Sequence, residues 1–305
     1  MAPLGAGKVG LFAAAGAGSE TGQGYFCGGY YGATKYTYVN RLAFGTEITT
    51  SGANTLTDGT YGTSGCSNNG VAGYIAIGDQ TATVDKLTFG TEAVASLGTG
   101  LSLARTGTAS FADSGTAGYF GGGYTGSPRT ELDKYAFPGE TRTTVAAYVD
   151  PGRMTGGGFA DGSTAGYICG GYTGAADDTV NKWALPVDTR TTLGTGLSEA
   201  CYWVEGCANG TTAGYSTLGT ANNTDVDKIA FPVDTWTTLT TILNAVSYPA
   251  GASDNGVAAY FGGGYVGALA QSVRKIAYSD DSSSTLPLTF ADYRGAAAGL
   301  ANSAE

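Results

Sequence analysis

A tyrosine that returns six times at a nearly constant interval limits what this chain can fold into. Tyr25, Tyr74, Tyr119, Tyr167, Tyr215 and Tyr260 lie 49, 45, 48, 48 and 45 residues apart. Each closes a small-residue approach and opens a strand-like run: GYFCGGY, GYIAIGD, GYFGGGY, GYICGGY, GYSTLGT and AYFGGGY. About 15 residues on comes a polar pair: Asn40-Arg41, Asp85-Lys86, Asp133-Lys134, Asn181-Lys182, Asp227-Lys228 and the degenerate Arg274-Lys275. Three residues beyond the basic member stands a large apolar side chain, namely Phe44, Phe89, Phe137, Leu185, Phe231 or Tyr278. A Thr-rich segment follows in most copies, as in TRTTV and TWTTLTTIL, and a small-residue segment such as RTGTASF precedes the next tyrosine. Four strand-like segments at this period predict an all-β fold, a six-bladed β-propeller of four-stranded antiparallel blades. The repeats start near residues 22, 70, 115, 163, 211 and 257, so the propeller spans 22–305.

The physics of such a ring agrees with the residues. Each blade is packed on both faces by its neighbours, so its strands read as apolar or small on both sides instead of alternating. The innermost strands crowd the axis, where Gly, Ala and Ser fit, and the chain carries 52 glycines without any collagen-like period. Turns such as FADSG, FADGS, CANGT and ASDNG supply hairpin chemistry. Repeats one, three, four and six carry a Gly-Gly doublet, whereas two and five carry a single Gly. Cys27 and Cys169 share one slot, and Cys66 and Cys207 another, three repeats apart. A duplicated three-blade half follows. Slots across the ring lie beyond disulfide reach, and Cys201 makes the count odd, so buried thiols from a reducing compartment are expected. The inner-strand pattern occurs at both chain ends, near residues 9–18 and within 294–303. Either residues 294–303 close the first blade and residues 1–21 form an arm, or the N-terminal segment closes the ring.

Charge and residue types exclude several functions. Only 13% of residues are charged and the balance is −10, so a nucleic-acid backbone finds no basic face. No apolar run approaches 18 residues, so no membrane insertion is expected, and the N-terminal MAPLGAGKVGLFAAAGAG makes a poor signal peptide. Histidine is absent, which rules out histidine-dependent metal sites and Ser-His-Asp triads. Gly5, Gly7 and Gly10 match G-x-G-x-x-G but lack the preceding strand. Asn223, Asp225 and Asp227 imitate the start of a calcium loop, yet Lys228 replaces its glycine and no glutamate closes it. The expectation is no catalytic residue, no metal and no cofactor. The candidate contacts are Tyr30, Tyr124, Tyr172 and Tyr265, which follow the Gly-Gly doublets at a blade rim, where exposed tyrosines stack on sugars or anchor interfaces. Packing under a loop is their bland alternative.

An aromatic strand ending in Gly-Gly, a polar segment, a hydrophobic strand and a Trp-containing strand together resemble the kelch repeat over roughly residues 22–303. The doublet appears in four repeats of six, and the kelch tryptophan is matched only by Trp236, with Arg142 and Arg190 in the equivalent slots. The Thr/Gly-rich, histidine-free variety is similar to kelch-like propellers of bacteriophage virions. That resemblance implies a non-enzymatic virion component, in a tail fibre, tail tip or capsid decoration. It would be made in the host cytoplasm and would contact a host-surface glycan or a neighbouring virion protein. A second reading is a soluble or secreted lectin-like propeller. A third is a carboxylate-only glycoside hydrolase or lyase.

Overall fold

The tyrosine-opened runs become the second strand of every blade, and the marker pairs become the third. In the computed structural model, which describes residues 22–301 apart from 32–33, 220–222, 241–242, 244–247, 265–270 and 288–296, blade 3 shows the plan. Ala109–Asp113, Ala117–Gly121, Leu132–Ala136 and Thr141–Thr144 pair antiparallel in sequence order from the axis outward. Blades 2, 4, 5 and 6 repeat it, with innermost strands Ser64–Asn68, Gly157–Asp161, Gly206–Asn209 and Ala250–Asp254. Blade 1 differs. Its second strand, Gln23–Cys27, pairs inward with Ala298–Ala301 from the far end of the chain, in the register Tyr25 to Leu300. Each innermost strand contacts the next, and Ala298–Ala301 contacts both Ala250–Asp254 and Ser64–Asn68, so the ring is closed. The fold is a six-bladed β-propeller. Residues 1–21, and with them the expected arm, lie outside the described residues, as do Gly5, Gly7, Gly10 and Arg294.

Small residues at the axis are a steric requirement. Five glycines and Ser110 occupy one slot, Gly65, Ser110, Gly158, Gly206, Gly251 and Gly299. A Cβ on Gly299 would stand 1.7 Å from the Gly251 carbonyl oxygen, and one on Gly158 would stand 2.1 Å from that of Ser110. Ser110 turns the same closeness into a hydrogen bond, donating Oγ–H to the Gly65 carbonyl at 2.8 Å.

Between blades, three repeated residues meet a fourth that repeats in position only. The six tyrosines are buried to 1% exposure or less, and five of them pack on the large apolar residue of the following blade, four stacked and Tyr215 tilted against Tyr278. The pairs are Tyr25–Phe89, Tyr74–Phe137, Tyr167–Phe231, Tyr215–Tyr278 and Tyr260–Phe44, with centroids 5.0–5.3 Å apart. Tyr119, facing Leu185, stacks instead on Phe111 of its own blade. The marker cation of each blade reaches a carboxylate in the outer hairpin of the next. Lys134 meets Asp188 at 2.8 Å, Lys182 meets Asp234 at 2.7 Å and Lys228 meets Asp281 at 2.7 Å. Arg41 pairs with Glu92, Lys86 with Glu140 and, across the closing seam, Lys275 with Glu47. In blades 2 to 5 the tyrosine hydroxyl donates to the same acid, as Tyr167 does to Asp234 at 2.8 Å. Burial, then the adjacent carboxylate, drives these phenols well above their ordinary range. All six acids have left-handed backbones, φ between 49° and 58°, in the tight turn that aims them back at the preceding blade.

The acidic members of the marker pairs hold the crossovers that enter their own blades. Asp133 accepts from the Ser102 amide at 2.8 Å and Ser102 Oγ at 2.9 Å, and pairs with Arg105 at 3.0 Å, both side chains being fully buried. Arg105 also donates to the Phe120 carbonyl, while Arg153 donates to the Gly170 and Thr179 carbonyls and Asp177. These arginines therefore brace a crossover against the blade it enters. The calcium-like triplet has a similar explanation. Asp227 is buried and accepts from the Ser198 amide and Thr238, and Asn223 accepts from the Asp225 amide. All five cysteines are buried thiols.

Candidate ligand-binding site

The axis opens at both ends, and the two mouths differ in chemistry. The cavity at the ends of the innermost strands is lined by residues such as Ser67, Asn69, Ser114, Ser253 and Asn255, with no charged side chain among the described residues. The cavity at their beginnings, on the side of the Gly-Gly doublets, includes Thr63, Thr108, Thr155, Trp203, Glu205 and Tyr248.

The residue that turns each crossover into its innermost strand is Gly62, Gly107, Thr155, Trp203 or Tyr248 in blades 2 to 6. All five have positive φ, 66°, 66°, 57°, 61° and 61°. The turn suits glycine, as in blades 2 and 3. An aromatic residue there costs about 1–2 kcal/mol of backbone strain. Two aromatic residues held in such a backbone at a cavity mouth are strained outliers of the kind that cluster at binding and active sites.

Around them runs a continuous arc of six rings. Tyr61 meets Tyr30 at 4.9 Å between centroids, Tyr30 meets Tyr248 at 6.4 Å, and Tyr248 meets Trp203 at 3.8 Å. Trp203 meets Tyr202 at 4.4 Å, and Tyr202 meets Tyr172 at 5.8 Å. Tyr61 is 38% exposed and the other five are half-buried, so ring surface remains open to solvent. Burial, with Tyr30, Tyr61 and Tyr202 nearby, raises the Tyr248 phenol well above its ordinary value.

Glu205 lines the same cavity as Trp203 and Tyr248 and is half-buried. Its slot holds Ser64, Ala109, Gly157, Ala250 and Ala298 in the other blades, so no other blade places a charge here. Burial pushes its carboxyl up to about 8, against the lowering effect of hydrogen bonds from the Gly251 and Gly206 amides.

Of the four tyrosines selected from the sequence, Tyr30 and Tyr172 belong to the arc. Tyr124 is half-buried in blade 3, where its backbone amide and carbonyl bridge Thr106. Tyr265 lies outside the described residues. Sequence reasoning missed Tyr61, Tyr202, Trp203, Glu205 and Tyr248. One signal was available: the Gly62–Gly107–Thr155–Trp203–Tyr248 slot is spaced by 45, 48, 48 and 45, the intervals of the tyrosines.

No protein-family model matches the sequence, and no curated protein matches it significantly. Among solved structures the chain is similar to one described as "Structure of YjhT". The TM-score is 0.64 at 12% identity, over 79% of this chain and 87% of that one. At that identity the likeness is one of fold, and it supports the propeller.

Proposed function

We propose that the protein is a non-enzymatic binding protein that takes a saccharide at the aromatic mouth of its axis, one site per ring. The observation that carries this reading is the pair Trp203 and Tyr248, strained aromatic residues in a glycine-like turn beside a hydroxyl-lined cavity. Apolar ring faces next to Thr and Ser hydroxyls suit a sugar, which presents C–H patches and hydroxyls together. The non-enzymatic part is supported by the lining: among the described residues it has one carboxyl, whereas two-carboxylate glycoside hydrolysis needs a pair. A lectin with sites between blades would repeat its contacts around the ring, and this mouth breaks the repeat instead. The setting we favour is a bacteriophage virion, in a tail fibre, tail tip or decoration, meeting a host-surface glycan. It rests on the kelch-like, Thr/Gly-rich, histidine-free style of the repeats.

The test is a glycan array followed by calorimetry on wild type and Trp203→Gly, a change to the residue that blades 2 and 3 already use. One glycan class bound at one site per chain, and weakened at least about 30-fold in the variant, is the expected result, equivalent to about 2 kcal/mol. Silence across the array, or binding indifferent to Trp203, overturns the reading.

A further inference from the structure

The carboxyl of Glu205 has no counterpart in the other blades. Five of six blades fill its slot with Ser, Ala or Gly and close equally well. Its alkyl chain and one oxygen lie over Gly251, where an added Cβ would come within 2.9 Å of Cγ and 3.1 Å of Oε1. Two backbone amides are its hydrogen-bond donors. A carboxyl taken from water without a counter-charge is destabilising, and amide donors offset only part of that.

Among the described residues, no lysine or arginine lines the cavity beside Glu205. Arg105 and Arg153, on the neighbouring crossovers, are fully buried and directed into their own blades by Asp133, Asp177 and backbone carbonyls. Titratable groups near Glu205 among the described residues include Cys207 on its own strand, Cys169 in blade 4 and Tyr248 at the start of blade 6. Each is neutral or negative. Trp203 and Tyr248 line the same cavity, and the negative quadrupole of an aromatic face attracts a cation. The chain as a whole carries −10.

Resting on the saccharide reading above, we propose that the axial site recognises a protonated amino sugar, with Glu205 as the selectivity-determining residue that pairs with its ammonium group. The sugar ring lies against Trp203 and Tyr248, and the ammonium reaches down to the carboxyl. An N-acetylated sugar offers no charge to Glu205, and an acidic sugar meets a lining with no lysine or arginine among the described residues. Because the free carboxyl is largely protonated at neutral pH, docking the ammonium expels that proton to solvent.

The experiment presents each glycan chain in paired amine and N-acetyl forms, with the glucosamine trimer and its triacetylated counterpart as the reference pair. Wild type and Glu205→Gln are titrated by calorimetry in two buffers of different ionisation enthalpy. The amine form should bind at least about tenfold tighter, about 1.4 kcal/mol, and release a proton at pH 7. Glu205→Gln should bring the two forms within about twofold and abolish the proton release while still binding saccharide. Equal or tighter binding of the N-acetyl form, or a ratio unchanged in Glu205→Gln, overturns this inference and leaves the saccharide reading standing. Failure of both forms of every chain to bind wild type overturns both.

Discussion

The junctions between blades and the mouth of the axis are built by opposite uses of the same repeat. At the junctions, a tyrosine, a cation and a left-handed carboxylate recur in six blades, down to the Lys275–Glu47 pair across the seam. At the mouth only the backbone turn recurs, and its side chain runs from Gly to Thr to Trp to Tyr. Repetition therefore marks what the ring needs in order to close. Departure from it marks what the ring carries. The chain tolerates strained aromatic residues and a poorly compensated carboxyl where the repeat would put glycine and alanine.

If the frame is where repeated chemistry matters most, its largest effect should come from a buried marker acid. Asp133→Ala leaves the fully buried Arg105 guanidinium without its carboxylate, and strips acceptors from Ser102 and Thr144. Removing one partner of a buried pair costs about 3–5 kcal/mol. Chemical denaturation should show that loss, with saccharide affinity of the folded protein unchanged. A loss below about 1 kcal/mol would mean that the crossover does not depend on this brace.

The mouth should respond to pH in a way the junctions do not. Glu205 titrates near 8 in the fold against about 4.3 in an unfolded chain. A raised carboxyl pKa contributes stability in full below the unfolded value, and loses it as pH rises through the folded one. Wild type should therefore weaken between about pH 5 and pH 8.5 relative to Glu205→Gln. We expect about 2 kcal/mol, having discounted the full shift by about half because the residue is only half-buried. Parallel curves for the two proteins would place the carboxyl in open solvent.

Much of the frame was legible because it is chemically repetitive. The tyrosines, the marker pairs and the large apolar residues stand in register in the sequence, and the structure joins them between blades. The carboxylate partners were missed although Glu47, Glu92, Glu140, Asp188, Asp234 and Asp281 keep nearly the same interval. They are Glu in the first three blades and Asp in the last three, in turns where either residue already has a local explanation. The mouth was harder to read for a deeper reason. Gly62, Gly107, Thr155, Trp203 and Tyr248 share a φ angle and no side chain, so a consensus discards them. Tyr30 and Tyr172 were found only because a fixed doublet precedes them.

A junction tyrosine should matter less than a buried ion pair. Tyr167→Phe removes one hydrogen bond to Asp234 but leaves Lys182 on the same acid and the ring stacked on Phe231. A destabilisation of about 1 kcal/mol follows, with ligand affinity untouched. Thermal or chemical denaturation checks it. A change in affinity would show that the junctions and the mouth are coupled.

The smallest change in stability should come from the residue with the largest effect on binding. Trp203→Gly gives up the contacts of its ring with Tyr248 and Tyr202, which are worth about 0.5–1.5 kcal/mol each. It also relieves the left-handed strain of about 1–2 kcal/mol and restores the residue found in blades 2 and 3. The two terms nearly offset, so denaturation midpoints should agree within about 1 kcal/mol while saccharide binding collapses. A loss of several kcal/mol would instead make Trp203 a packing residue. The strain would then serve the frame, and the distinction between the junctions and the mouth would fail at the position where it is drawn most sharply.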